Sequence, residues 1–198
     1  MQQAGGAGFP DTVPATTEAD DVRLTSRIAA GDRFAFEMLY RRYFPRLARF
    51  LDRMVRHGPA IEEIINDTMF VVWQKADRYD GSSKVSTWIF AIAYRRALKT
   101  LQALDLPVEA DADEQPGEDD REPEHALMRG ELREAVGCAL DTLPIEQRAV
   151  VNLTYYHGLG YGEIAEILDC PVNTVKTRMF HARRRLKTLL ADHLEEAP

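Results

Sequence analysis

The sequence predicts an all-α protein of two small helical domains joined by an acidic flexible linker. Apolar residues recur at helical spacing from Val22 to the end of the first hundred residues, and again from Leu127 to Leu186. Between these blocks, residues 105–124 carry Pro107, Pro116, Pro123 and Gly117 with no apolar period. The length, 198 residues with 45% hydrophobic content, supplies one domain or two small ones with packed cores.

Residues 1–20 are rich in Gly, Ala, Thr and Pro and are expected to be disordered. A short first helix begins near Asp20, uses Val22, Leu24 and Ile28, and ends at Gly31. Asp32 is a candidate N-cap for a longer helix with Phe36, Leu39, Tyr40, Tyr43, Leu47, Phe50 and Leu51 on its apolar side. Pro45 lies inside that run, so a bend or break is expected there. His57-Gly58-Pro59 is expected to end the element. The third helix, Ala60–Arg78, buries Ile61, Ile64, Ile65, Thr68, Val72 and Trp73 and carries Glu62, Glu63 and Asp67 in its first half, where the helix dipole favours acids. A polar turn, 79–84, leads to a fourth helix, Ser86–Gln102, with Trp88, Ile92 and Tyr94 beside the bases Arg95, Arg96 and Lys99.

After the linker, residues 125–141 read as a leading helix with Leu127, Leu132, Val136 and Leu140 inward, stopped by Leu143-Pro144. Ile145–His157 follows, and Gly158 and Gly160 separate it from Tyr161–Leu168. Asp169-Cys170-Pro171 breaks that helix, and Asn173 or Thr174 is a candidate cap for the last one. Val175, Met179, Ala182 and Leu186 form its inner stripe; residues 173–187 hold six bases and no acid. A short apolar helix, a tight turn and a basic second helix is the helix-turn-helix pattern, whose second helix enters the DNA major groove. At 100° per residue, Thr177, Phe180, His181 and Arg184 point outward; Lys176 and Arg183 flank one side, Arg178 and Arg185 the other. Outward groups reach base edges, while flanking cations suit phosphates. The plain alternative is a solvated basic amphipathic helix.

The net charge of −7 argues at first against a nucleic-acid partner. Residues 1–21 contribute −4 and residues 105–124 contribute −9, which leaves +6 for the rest. That asymmetry points to nucleic-acid contact and an acidic linker. No apolar run approaches a membrane span, and the first residues lack a basic n-region with an apolar core, so a cytoplasmic location is expected. Cys138 and Cys170 lie 32 apart with no close His, so metal or disulfide chemistry is not expected. No Ser/His/Asp set, glycine-rich phosphate loop or metal-ligand cluster stands out; neither enzyme activity nor a cofactor is expected.

Residues 140–190 closely resemble the promoter-binding domain of bacterial sigma factors of the extracytoplasmic-function (ECF) group. Leu143, Pro144, Gln147, Arg148, Tyr155, Tyr156, Gly158, Leu159, Tyr161, the run Glu163–Leu168, Cys170–Val172, Thr174–Lys176 and Arg178 fit the usual wording; Asp169 and Asn173 replace common glycines. Residues 22–104 resemble the other ECF module, with Gly81, Ser83, Thr87, Trp88, Ile92 and Ala93 matching, and Ser86 and Arg95 departing from a common Arg and Asn.

The resemblance implies a region 2 domain at 21–104, a linker at 105–124, a region 4 domain at 125–191 and a tail at 192–198. It implies a protein that binds core RNA polymerase through the β′ clamp helices and β flap, brings it to promoters and helps open the DNA. An anti-sigma factor is implied as a further partner. Glu62, Glu63, Asn66 and Asp67 would meet polymerase. Asp80, Gly81, Ser82, Ser83, Lys84, Thr87, Trp88, Arg95, Arg96 and Lys99 would read and hold the melted −10 element. Thr174, Lys176, Thr177, Arg178, Phe180, His181 and Arg184 would read the −35 element. The two elements lie about one and a half helical turns apart, or about 55 Å. A relaxed 20-residue coil averages only about 25 Å, and a fully extended one roughly 65 Å. The linker reaches only if polymerase stretches it. The alternative is a helix-turn-helix regulator that works with another sigma factor.

Overall fold

A computed structural model describes residues 18–103 and 135–191, and among these every regular element is a helix. The first helix, α1 (Glu18–Ala29), buries Leu24, Thr25 and Ile28 and ends where Gly31 turns with φ +85°. Asp32 then caps α2 (Arg33–Val55), accepting the main-chain N–H of Phe34 at 2.9 Å and of Ala35 at 3.1 Å. These bonds favour the ionised carboxyl. With the Arg27 side chain they hold it below its ordinary pKa, the Ala35 bond contributing most.

Pro45 does not break α2, which runs unbroken through it. Loss of an N–H inside a helix costs about 3 kcal/mol. Leu39, Tyr43, Leu47, Phe50 and Leu51 on the opposite side are fully buried, and each such side chain returns roughly 1.5–3 kcal/mol. Pro45 and Arg41 face solvent, where water can meet the carbonyl left without its donor. His57-Gly58-Pro59 likewise does not end an element alone. The break is at Arg56, in left-handed backbone with φ 52°, and α3 (Gly58–Lys75) already includes Gly58 and Pro59. Proline suits the first turn because its missing N–H would have no partner there. A 3-10 turn, Ala76–Arg78, follows.

The next helix, α4 (Val85–Ala103), starts one residue before the expected Ser86. Its first N–H, that of Val85, is capped by the Glu18 carboxylate at 2.6 Å, from 67 residues earlier. Asp21 is 5% exposed and accepts from the Arg42 guanidinium and from the Tyr43 hydroxyl. Glu18 and Asp21 therefore belong to the folded part and not to a solvated acidic N-terminal stretch. Burial, and then the charge of Asp21, raises the Tyr43 pKa.

The acidic linker, Leu127 and Leu132 lie outside the described residues. Helical residues 135–141 (α5) bury Ala139 and Leu140 and leave Val136 half-buried. Then come α6 (Ile145–Tyr155), α7 (Tyr161–Leu168) and α8 (Val172–Leu189). The Arg148 guanidinium donates to the carbonyls of Asp141 and Leu143, which ties α6 to the turn before it. The helices α1–α4 form one module and α5–α8 another. They meet along a seam in which α7 lies against α4 and α6 against α2.

Candidate nucleic-acid interface

The helix-turn-helix is built by three local devices. Glu163 in the first turn of α7 accepts the Gly160 N–H at 2.9 Å. At the other end Asp169 adopts left-handed backbone, φ 51°, and Cys170 N–H reaches the Ala165 carbonyl at 3.0 Å. This is the helix stop for which glycine is common and Asp is tolerated. Pro171 stands at the N-cap of α8 with φ −59°, a pre-set entry. The expected cap by Asn173 or Thr174 is not formed. The helix begins earlier, at Val172, so both residues lie in its first turn, and the Thr174 N–H bonds the Pro171 carbonyl at 2.8 Å.

Val175, Met179 and Ala182 are buried and Leu186 half-buried, which turns the other face of α8 to solvent. Lys176, Thr177, His181 and Arg184 are exposed, and Phe180 is 63% exposed beside the His181 ring. The Thr177 hydroxyl donates to the Asn173 carbonyl at 3.0 Å. Arg178 is half-buried, with Nη1 3.6 Å from Cys170 Sγ, and Thr174 is half-buried too. Arg183 is steadied by the Tyr155 hydroxyl at 2.8 and 3.1 Å. These are the groups a major groove needs: a mixed polar and apolar ridge with cations on its flanks.

In the 79–84 turn, Gly81 takes φ +75°, a value that favours glycine, and Asp80 Oδ1 accepts the Ser82 N–H at 2.9 Å. The Tyr79 hydroxyl donates to the Ser83 carbonyl at 2.6 Å, and its ring lies 5.2 Å from that of Trp88. Trp88 is half-buried, so it serves the core and the surface together. Thr87 is 1% exposed and is not on a DNA-accessible face of this structure; its helix turns it inward. Arg95 and Lys99 are exposed. Arg96 is half-exposed and pairs with Asp67. Lys84 is paired with Glu163 of α7, and the carboxylate raises its pKa.

On α3, Glu62, Glu63, Asn66 and Asp67 are all exposed on one ridge. The Tyr40 hydroxyl donates to Asn66 Oδ1 at 2.8 Å. Phe70, 57% exposed, continues the same ridge and was not anticipated. Its spacing of three and four from Asp67 and Asn66 was the available signal.

Comparison with known proteins agrees with this geometry. Residues 39–105 match the family described as Sigma-70 region 2, and residues 133–186 match Sigma-70, region 4. The ECF RNA polymerase sigma-E factor of Escherichia coli K12 is 31% identical over 176 residues, covering 84% of this chain and 92% of that protein. The RNA polymerase sigma-H factor of Pseudomonas aeruginosa is 28% identical over 191 residues, covering 91% and 99%. Among solved structures, CnrH in complex with the cytosolic domain of CnrY has a TM-score of 0.66 at 24% identity, covering 87% of this chain and 98% of that one. The sigma factor RpoE in complex with the anti-sigma factor NepR, from Bartonella quintana, has a TM-score of 0.58 at 24% identity, covering 79% and 96%. The structural likenesses bear on the fold, and the sequence matches on the family. With both domain families in order along it and a sigma-E relative spanning most of its length, the chain belongs to the ECF sigma factors of RNA polymerase.

Proposed function

We propose that this sigma factor divides promoter-specific initiation between the two modules. Residues 21–104 act as region 2 and 125–191 as region 4, with 105–124 as the strap between them. Lys176, Thr177, Phe180, His181 and Arg184 read the −35 element, with Thr174 and Arg178 shaping the turn that presents them. Asp80, Gly81, Ser82, Ser83 and Lys84 hold the opened −10 strand, helped by Trp88 at the pocket edge and by Arg95, Arg96 and Lys99 on phosphates. Thr87 supports that pocket from inside. Glu62, Glu63, Asn66 and Asp67 dock on the β′ clamp helices, and region 4 docks on the β flap. The factor works in the cytoplasm as a non-catalytic subunit, and an anti-sigma factor restrains it.

The observation that carries this reading is the exposed, cation-flanked ridge of α8 set by a buried Val175–Met179–Ala182 stripe. Unstacking a base costs a few kcal/mol, least at flexible steps, so capture in a polar turn is sufficient chemistry for opening. Reconstitution with core polymerase tests the reading. Promoter-specific transcripts are expected from core plus this chain alone. A regulator acting with another sigma factor would give none until that factor is added.

A further inference from the structure

A base on the flank of α8 is held from outside its own helix. At 100° per residue, Lys176, Arg183 and Lys187 fall on one side of α8, next to the outward face and away from Arg178 and Arg185. All three are exposed. Arg183 donates from Nε at 3.1 Å and from Nη2 at 2.8 Å to the hydroxyl of Tyr155, the last residue of α6. Tyr155 springs from a fixed point. Leu153 beside it is fully buried, the Tyr156 N–H reaches the Asn152 carbonyl at 2.9 Å, and the Gly158 N–H reaches the Thr154 carbonyl at 3.2 Å. The phenol itself stands outside the core, with Tyr155 59% exposed.

Arg42, Arg56 and Arg96 are paired with carboxylates, which cancel their charge. A neutral phenol instead fixes Arg183 and leaves its charge whole. A guanidinium carries five N–H groups in a rigid fork, and here the Nε proton and one Nη2 proton go to the phenol. The Nη1–Nη2 edge is left, and that edge can take two oxygens of a phosphate. The phenol oxygen accepts both bonds, so its own proton can be given to the same anion. A loose arginine loses rotamer freedom when it is caught, and one already ordered by two bonds loses less.

We propose that Tyr155 and Arg183 form one site for a backbone phosphate of the −35 duplex, with Tyr155 as the positioning residue that aims the guanidinium. This rests on the reading of α8 as the −35 helix. Arg183 stands two turns, about 10 Å, along α8 from Lys176. The site ties α6 as well as α8 to the DNA backbone. It therefore fixes how the recognition helix lies in the groove and reads no base itself.

The test uses holoenzyme reconstituted from core polymerase and the full chain. The probe is a fluorescein-labelled duplex carrying the −35 motif that wild type enriches from a randomised pool, read at several salt concentrations beside the same duplex with the motif scrambled. Arg183→Ala should weaken binding about tenfold on both duplexes and flatten the slope of log K against log salt by about 0.9, the share of one phosphate. Tyr155→Phe keeps the ring and every charge. It should leave the slope unchanged, weaken binding about threefold where Arg183 is present, and add no loss where Arg183 is already alanine. A methylphosphonate scan should find one phosphate whose neutralisation weakens wild type several-fold and leaves Arg183→Ala unaffected. Thermal melts screen both variants for folding, and the scan of wild type alone must show such a phosphate. An unchanged slope in Arg183→Ala, an equal cost of Tyr155→Phe in both backgrounds, or a scan without such a phosphate overturns the pair and leaves the reading face of α8 standing. A pool from which the holoenzyme enriches no motif overturns the −35 reading and the pair with it.

Discussion

Arg96 Nη1 lies 3.0 Å from Asp67 Oδ2, so a base assigned to promoter phosphates is held by an acid assigned to polymerase. The pair joins α4 to α3 on the surface, with the two side chains 37% and 50% exposed. An exposed pair of this kind contributes at most about 1 kcal/mol to stability. Asp67→Ala should therefore leave the thermal midpoint almost unchanged while weakening polymerase binding several-fold and leaving duplex binding by α8 intact. Titration against labelled core polymerase, beside a thermal melt, checks this. Unaltered polymerase affinity would remove Asp67 from the docking ridge.

Lys176→Ala and His181→Ala should relax the choice of −35 sequence. Both side chains are exposed on the outer part of α8, and neither supports the core. Each lost base contact should cost about 1–3 kcal/mol on the preferred site and much less on others. Selection of binding sites from a randomised −35 pool reads the effect directly. If both variants enrich the wild-type motif, the reading face has been misplaced on the helix.

The parts of the fold that were legible in advance are those with local causes. The bounds of α7 follow from Gly160 before it and from Asp169 and Pro171 after it. The inner stripe of α8 follows from steps of four and three. Pro45 misled because its local cost is outweighed by tertiary burial that periodicity cannot weigh. Glu18 and Asp21 misled for the opposite reason. They sit in a run of acids that resembles a solvated tail, and their partners, Val85, Arg42 and Tyr43, are 67, 21 and 22 residues away. The seam left no trace in the sequence, since Asn152 and His157 are unremarkable polar residues of a helix end until Phe50 and Phe90 are brought against them.

Asp21 should be the most sensitive charged position for stability. Its carboxylate is buried and accepts from Arg42, which is part-buried, and from Tyr43, which is fully buried. Asp21→Ala leaves a part-buried guanidinium and a buried hydroxyl unpaired, a loss of about 2–4 kcal/mol. Removing Arg42 as well, as Asp21→Ala with Arg42→Met, should recover part of it, because the uncompensated charge is then gone. Urea unfolding of the three chains gives the comparison. A single variant that costs under about 1 kcal/mol would show that solvent already reaches the pair.

Acid should open the seam, and His157 sets the direction. Burial depresses its pKa to about 4, and Arg46 and Arg49 push it the same way. Arg49, Asp52, Arg53 and Tyr156 line the cavity beside it, of about 130 Å³, and Phe50 and Phe90 present only rings. The seam thus accepts the neutral imidazole and resists the charged one. Once the modules part, the ring returns toward its ordinary value of about 6.5. A depressed histidine contributes closure that is complete above pH ~6.5 and is lost as the pH falls from there toward 4. Scattering at pH 7.5 and pH 5 should show the wild-type chain expanding at the lower pH. His157→Phe keeps the ring contacts and cannot take up a proton, so it should expand less. Asp141 and Glu163 titrate in both chains, and the difference between the two therefore reports the histidine alone. Equal expansion of the two chains would assign the acid response to those carboxylates instead.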